Sequence, residues 1–147
     1  MPDAVVANIG NQTLDLTHVS FVDSILFDFK DSNVTTLDPG QFVLVVANKT
    51  AFAARYGPTL WPIIAGQYHG KLANGGEHLK LIDYWDGPLV EFDYDDNSDW
   101  PILADGLGYS LVPLNTALSN PQKGTLNHAT NWRASFNIGG SPGQDDL

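Results

Sequence analysis

Cysteine is absent from this chain of 147 residues, so neither a disulfide framework nor a thiolate metal site can form. Cations are scarce: 7 Lys+Arg stand against 17 Asp+Glu, a formal net charge of −10. A surface of that sign repels phosphate backbones and anionic membranes at long range. Lys71, Lys80, Lys123 and Arg133 are scattered along the sequence and make no basic patch, so no nucleic-acid partner is expected. No apolar run approaches the roughly 18 residues of a membrane-spanning helix, and no membrane insertion is expected. Met1-Pro2-Asp3 lacks the basic start and apolar stretch of a signal peptide, so the chain is expected to be either cytoplasmic or a piece excised from something longer. The motifs of common hydrolases are missing too. There is no Gly-x-Ser-x-Gly elbow, and His18, His69, His78 and His128 lie far apart with no His-Glu-x-x-His spacing, as lone surface histidines would.

What is present is the grammar of a β-protein. The length suits one domain, and a domain of this size buries roughly 70% of its unfolded surface, enough for a core without staples. Residues 5–9 read as a short strand ended by Gly10-Asn11, and Leu14, Leu16, Val19 and Phe21 lead through a second. Ile25, Phe27 and Phe29 alternate with Leu26, Asp28 and Lys30, the pattern of a half-buried strand. Asp38-Pro39-Gly40 is a turn. Residues 42–47 are apolar throughout and rich in β-branched side chains, which predicts a central strand covered on both faces. Thr50 is the expected cap of a short helix over 51–56, stopped by Gly57-Pro58. The stretch 59–71 reads as a loop. A hairpin follows, with Leu79, Leu81, Val90, Phe92 and Tyr94 facing inward around a turn at Asp86-Gly87-Pro88. Residues 109–112 and 132–136 are further strands, separated by an irregular 113–126. The sum is an all-β, immunoglobulin-like antiparallel sandwich of about 7–8 strands with one short helix near 50–56.

Two groups of residues are candidates for chemistry. Glu91, Asp93 and Asp95 share one face of the second hairpin strand, and Asp96, Asp99 and Asp105 follow. Oxygen-rich loops of this kind supply ligands to Ca²⁺, which makes Asp93, Asp95, Asp96, Asp99 and Asp105 a candidate calcium site, although the spacing fits no EF-hand. A solvated acidic face is the plainer alternative, with Lys80 on the neighbouring strand offsetting like-charge repulsion. A glycosidase pair would need one carboxyl in a buried apolar setting, and these read as exposed. Among the aromatics, Trp100 and Trp132 read as structural. Trp61, Tyr68 and Trp85 lie in or beside loops and are candidates for stacking on a sugar.

In order along the chain, several segments resemble the bacterial form of the lamin tail domain. They are Asn8-Ile9-Gly10-Asn11, Leu37-Asp38-Pro39-Gly40-Gln41-Phe42, Ala73-Asn74-Gly75-Gly76-Glu77-His78-Leu79, Trp100-Pro101, Ala104-Asp105-Gly106-Leu107-Gly108-Tyr109, Asn131-Trp132-Arg133-Ala134-Ser135 and Gly140-Ser141-Pro142-Gly143. The resemblance spans 1–147 as a single domain, favours a piece excised from something longer over a cytoplasmic chain, and implies an immunoglobulin-like fold with an accessory role. Bacterial members are non-catalytic modules of exported or cell-surface proteins, beside catalytic domains in some parents, and bind a protein or surface partner. The alternative is a carbohydrate-binding module with a glycan partner. Members of the family open with a strand that has no counterpart before residue 5 here, so the domain reads as trimmed at its N-terminus. An unpaired edge strand is then expected, and with it a homo-oligomer formed by edge pairing.

Overall fold

The computed structural model describes residues 3–85, 87–115 and 124–147. Asp86 of the expected turn, Lys123, and residues 116–123 of the irregular stretch lie outside these. In chain order the strands are β1 (Ala4–Ala7), β2 (Leu14–Asp15), β3 (Ser20–Asp23), β4 (Ile25–Asp28), β5 (Thr36–Leu37) and β6 (Phe42–Val46). Then come β7 (Ile64–Gln67), β8 (His69–Gly70), β9 (Gly76–Ile82), β10 (Pro88–Asp95), β11 (Leu111–Pro113) and β12 (Trp132–Ala134). A single α-helix among the described residues, α1 (Lys49–Tyr56), follows β6.

Two main sheets pack face to face. One has three strands in the order β1-β6-β7, the other five in the order β10-β9-β3-β4-β8; β2-β5 and β11-β12 are separate two-stranded ribbons. The all-β sandwich expected from the alternation is therefore what forms, with one departure: β7 runs parallel to β6, while the other pairings are antiparallel.

The two-sided burial of β6 organises the core. Val43 and Val45 point between the sheets and meet Phe21, Ile25, Phe29, Leu37 and Leu81. Leu44 and Val46 point the other way, onto Phe52 of α1 and Ile64. None of the four valine and leucine side chains keeps accessible surface, and each contributes about 1.5–3 kcal/mol by leaving water.

Three local expectations need correction. The helix cap is Asn48, not Thr50: the Asn48 side chain accepts from Ala51 N–H at 2.8 Å, so the helix starts at Lys49. The 59–71 segment is not a loop. It makes a 3₁₀ turn over Pro58–Ile63 and then β7 and β8. Between those two strands the chain leaves one sheet for the other, and Tyr68 fills the corner, its N–H donating to Val46 C=O at 3.0 Å. The last strand ends at Ala134, short of Phe136, because Ser135 turns inward. Ser135 is buried, and its hydroxyl accepts from Ser110 N–H at 3.0 Å and donates to Asn137 C=O at 2.8 Å.

Candidate functional site

Where β7 passes into β8 the sandwich is closed. On the side bounded by β1 and β10 it is open, and a cleft of about 700 Å³ lies there. Period-two alternation supplies its apolar lining: Leu79, Val90, Phe92 and Tyr94 are the inward positions of the β9–β10 hairpin, and Val6 is the inward position of β1. Across from them stands the β11–β12 ribbon with Leu111, Val112 and Trp132. Trp132 is held against Phe92, ring centroids 5.1 Å apart, while its indole N–H donates to Leu126 C=O at 2.8 Å.

The C-terminal arm completes the lining. Asp146 accepts from Arg133 Nη1 at 2.5 Å, from Phe136 N–H at 2.9 Å and from the Ser141 hydroxyl at 2.7 Å. Burial works against the charge on Asp146, yet these three donors prevail and hold its carboxyl below the ordinary value. At the other end of the arm the Tyr56 hydroxyl donates to Gly139 C=O at 2.6 Å. The loop before β9 is fixed similarly: Tyr94 OH donates to Ala73 C=O at 2.7 Å, and Glu77 accepts from Ala73 N–H at 2.6 Å. Burial pushes the Tyr94 phenol up to about 12, with the Glu77 charge adding to it, so it stays neutral. Carboxylates gather at the cleft: Asp3, Asp95, Asp96, Asp105, Asp145 and Asp146 line it, against the lone ammonium of Lys71 among the described residues.

The fold places the five candidate calcium ligands in three surroundings. Asp93 lies on the outer face of β10, opposite His78 on β9. Asp95 and Asp96 line the apolar cleft, as does Asp105. Asp99 lines a second hollow of about 460 Å³ with Asn97, Asn127 and His128. The Asp95 carboxylate is engaged by Asn97 and Asp96 backbone N–H groups at 3.1 and 2.7 Å, which lower its pKa. Among the described residues no three His, Asp or Glu side chains are placed to hold a metal ion. No cavity among them gathers Asp93, Asp95, Asp99 and Asp105 together.

The outer face of the hairpin has a feature that the spacing of the histidines did not reveal. His78 is no lone surface histidine: Nδ1 sits 2.7 Å from Asp93 Oδ1, Nε2 3.1 Å from Glu91 Oε1, and Asp23 is 3.9 Å away. The Asp93 hydrogen bond outweighs the opposing effect of burial and, with Glu91, raises the imidazole above its ordinary value. An imidazolium satisfies both carboxylates at once, since both of its nitrogens donate. Lys80 lies directly across from Glu91, 3.9 Å from its carboxylate, and offsets charge on the strand as expected. The register that brings β9 against β10 makes this cluster; the histidine-to-carboxylate spacing alone carried no signal for it.

The three aromatic candidates are also separated. Tyr68 is 7% exposed and belongs to the core, so it is no platform for a ligand; burial drives its phenol up to about 12. Trp61 lies on the 3₁₀ turn beside α1, with Lys49 Nζ 4.1 Å from its ring centroid. Trp85 is 82% exposed at the tip of the hairpin. Its neighbour Tyr84 meets it edge-on at 87° and contacts His18 on the other side, so these rings do not form a flat stacking surface. Trp100 is buried and packs near Trp132, a structural role for both.

Compared with known protein families, with curated proteins and with solved structures, the chain matches none of them. Among the described residues, no helix is long and apolar enough to cross a membrane.

Proposed function

We propose that this chain is a lamin-tail-type, immunoglobulin-like module of an exported or cell-surface bacterial protein, and that it binds other proteins without transforming them. One observation supports this reading above the others: a sandwich with a well-packed core is left open along one side, and the opening is apolar. Apolar surface gathered in a cleft is stabilised when a partner removes it from water. The polar groups around it are engaged in holding the surrounding loops: Asp95 caps a turn, Glu77 and Tyr94 fix the loop before β9, and Asp146 ties down the C-terminal arm.

The alternative, a carbohydrate-binding module, draws on the exposure of Trp85 and Trp61. The edge-on arrangement of Tyr84 and Trp85 and the burial of Tyr68 weaken it, because sugars stack on ring faces. The test is a selection of displayed random peptides on the purified chain, run beside a glycan array. The module reading expects a recurring peptide sequence that binds at micromolar strength and an array without signal. Array binding that disappears in Trp85→Ala, together with a selection that yields nothing, would overturn it.

A further inference from the structure

We propose that the cleft receives an extended segment of a partner protein as an added strand between β1 and β11, apolar where it enters and basic at its ends. The inference rests on the interaction-module reading and names its site and the chemistry of the partner.

The backbone carries the first part. β1 is hydrogen-bonded in its ladder to β6, and β11 to β12, each along one edge among the described residues. Both strands line the same cleft. The second edge of β1 therefore offers N–H and C=O groups to whatever occupies it, while on the second edge of β11 Leu111 alone carries an N–H, since Pro113 has none. Strand addition satisfies such edges and drops alternate side chains into pockets on one face. Here the pockets are apolar, formed by Val6, Phe92, Leu111 and Trp132.

The second part is what β1 lacks. Edge strands of soluble domains are ordinarily protected by a lysine, a proline, a bulge or an inward charge. β1 reads Ala-Val-Val-Ala, pairs with β6 in unbroken register and keeps Val5 49% exposed. Of these devices β1, four residues long, has none, whereas β11 carries Pro113, so β1 is the edge that supplies most of the pairing.

Charge then chooses the partner. Asp3, Asp95, Asp96, Asp105 and Asp145 surround the opening against one lysine, Lys71, among the described residues, while Asp146 is already paired with Arg133. A second copy would bring the same carboxylates against them, on a chain that already carries −10. Like charges set face to face at an interface disfavour that complex, whereas lysine or arginine flanking an apolar strand is drawn in and oriented. The homodimer expected from an unpaired edge is thus the less favourable occupant.

The experiment is amide hydrogen exchange on the whole chain, alone and with a short synthetic peptide carrying lysine at both ends and alternating valine and threonine between. Two control peptides have glutamate in place of lysine, or N-methyl groups on the backbone amides of one edge. The proposal expects the amides of β1 that point away from β6, and the Leu111 amide of β11, to exchange quickly in the free chain. With the lysine peptide they slow about tenfold or more, and both controls bind about tenfold more weakly. Protection of those amides in the free chain at every concentration would mean that the chain covers its own edge, and would overturn the proposal. Protection that grows with chain concentration would mean a second copy, and would overturn it equally. Equal binding by the N-methylated peptide, or no slowing with the lysine peptide, refutes strand addition. If peptides from the displayed selection still bind and protect another surface, strand addition fails while the module reading stands; if the selection is empty and the glycan array is not, the module reading itself has failed.

Discussion

The two sides of this sandwich are built to opposite ends. On one, the chain crosses from β7 to β8 and so ties the sheets together covalently. Tyr68 plugs the corner, Ala65 C=O on β7 accepts from Asn33 N–H at 3.3 Å, and Gly70 lies flush against the Ser24 carbonyl. On the other, β1 ends the small sheet, β10 ends the large one, and apolar side chains between them line a cleft instead of a core. The difference teaches that a strand crossing can close one side of a sandwich while the other stays a cleft whose surroundings are braced by side chains, here by Arg133–Asp146, Tyr56–Gly139 and Tyr94–Ala73.

The sharpest way to break the contrast is at the closed side. A Cβ at Gly70 would stand 2.3 Å from Ser24 O, and its φ of +99° is one that L side chains rarely adopt. Gly70→Ala is expected to cost about 3 kcal/mol, a fall of roughly 6–12 °C in thermal unfolding. A melting temperature within about 1 °C of the parent would show that the strand crossing is not what holds the sheets together. A middle-sized effect is expected at the brace of the open side. Asp146→Asn weakens a charge-assisted hydrogen-bond set and should cost about 1–2 kcal/mol at neutral pH. Because the folded pKa of Asp146 is depressed, its contribution is present above the ordinary carboxyl value of 3.8 and fades as pH falls through the lower folded value. Denaturant titrations should therefore show the two proteins converging in acid; a constant gap down to that range would count against the brace. The smallest effect belongs to the open edge itself. Val5→Thr removes apolar surface that is already half in water and should change stability by less than about 0.5 kcal/mol. A loss of several times that amount, read in the same titrations, would mean that β1 is covered in the free chain.

Much of the scaffold was legible before any coordinates. The unbroken apolar run of β6 announced burial on both faces, and the structure places α1 on one face and the second sheet on the other. The inward positions Leu79, Leu81, Val90, Phe92 and Tyr94 followed from alternation, and the hairpin register confirms them as one face. The 64–70 strands escaped notice because the segment is short, follows Pro62, contains Gly66 and Gly70, and pairs in parallel with β6, a partner that no local pattern announces. Tyr68 was misread for the same cause: an aromatic among glycines looks like a loop residue until the chain is seen to change sheets around it. The acidic positions of β10 were legible as an outward face. Their partner, His78, depended on register with β9, and the separation of Asp99 from Asp95 and Asp105 depended on how the chain turns after β10.

Side-chain periodicity, turn residues and charge are local or additive quantities, so the chain itself determined that it would be an all-β sandwich with a doubly covered central strand, one short helix and an acidic surface. Which edge closes, which stays open, and which carboxylates meet a histidine or an apolar cleft are matters of pairing between residues far apart in sequence. Only the tertiary structure decided them, because strand order, and with it the surroundings of every edge, arises from long-range burial and backbone hydrogen bonding that no single segment contains.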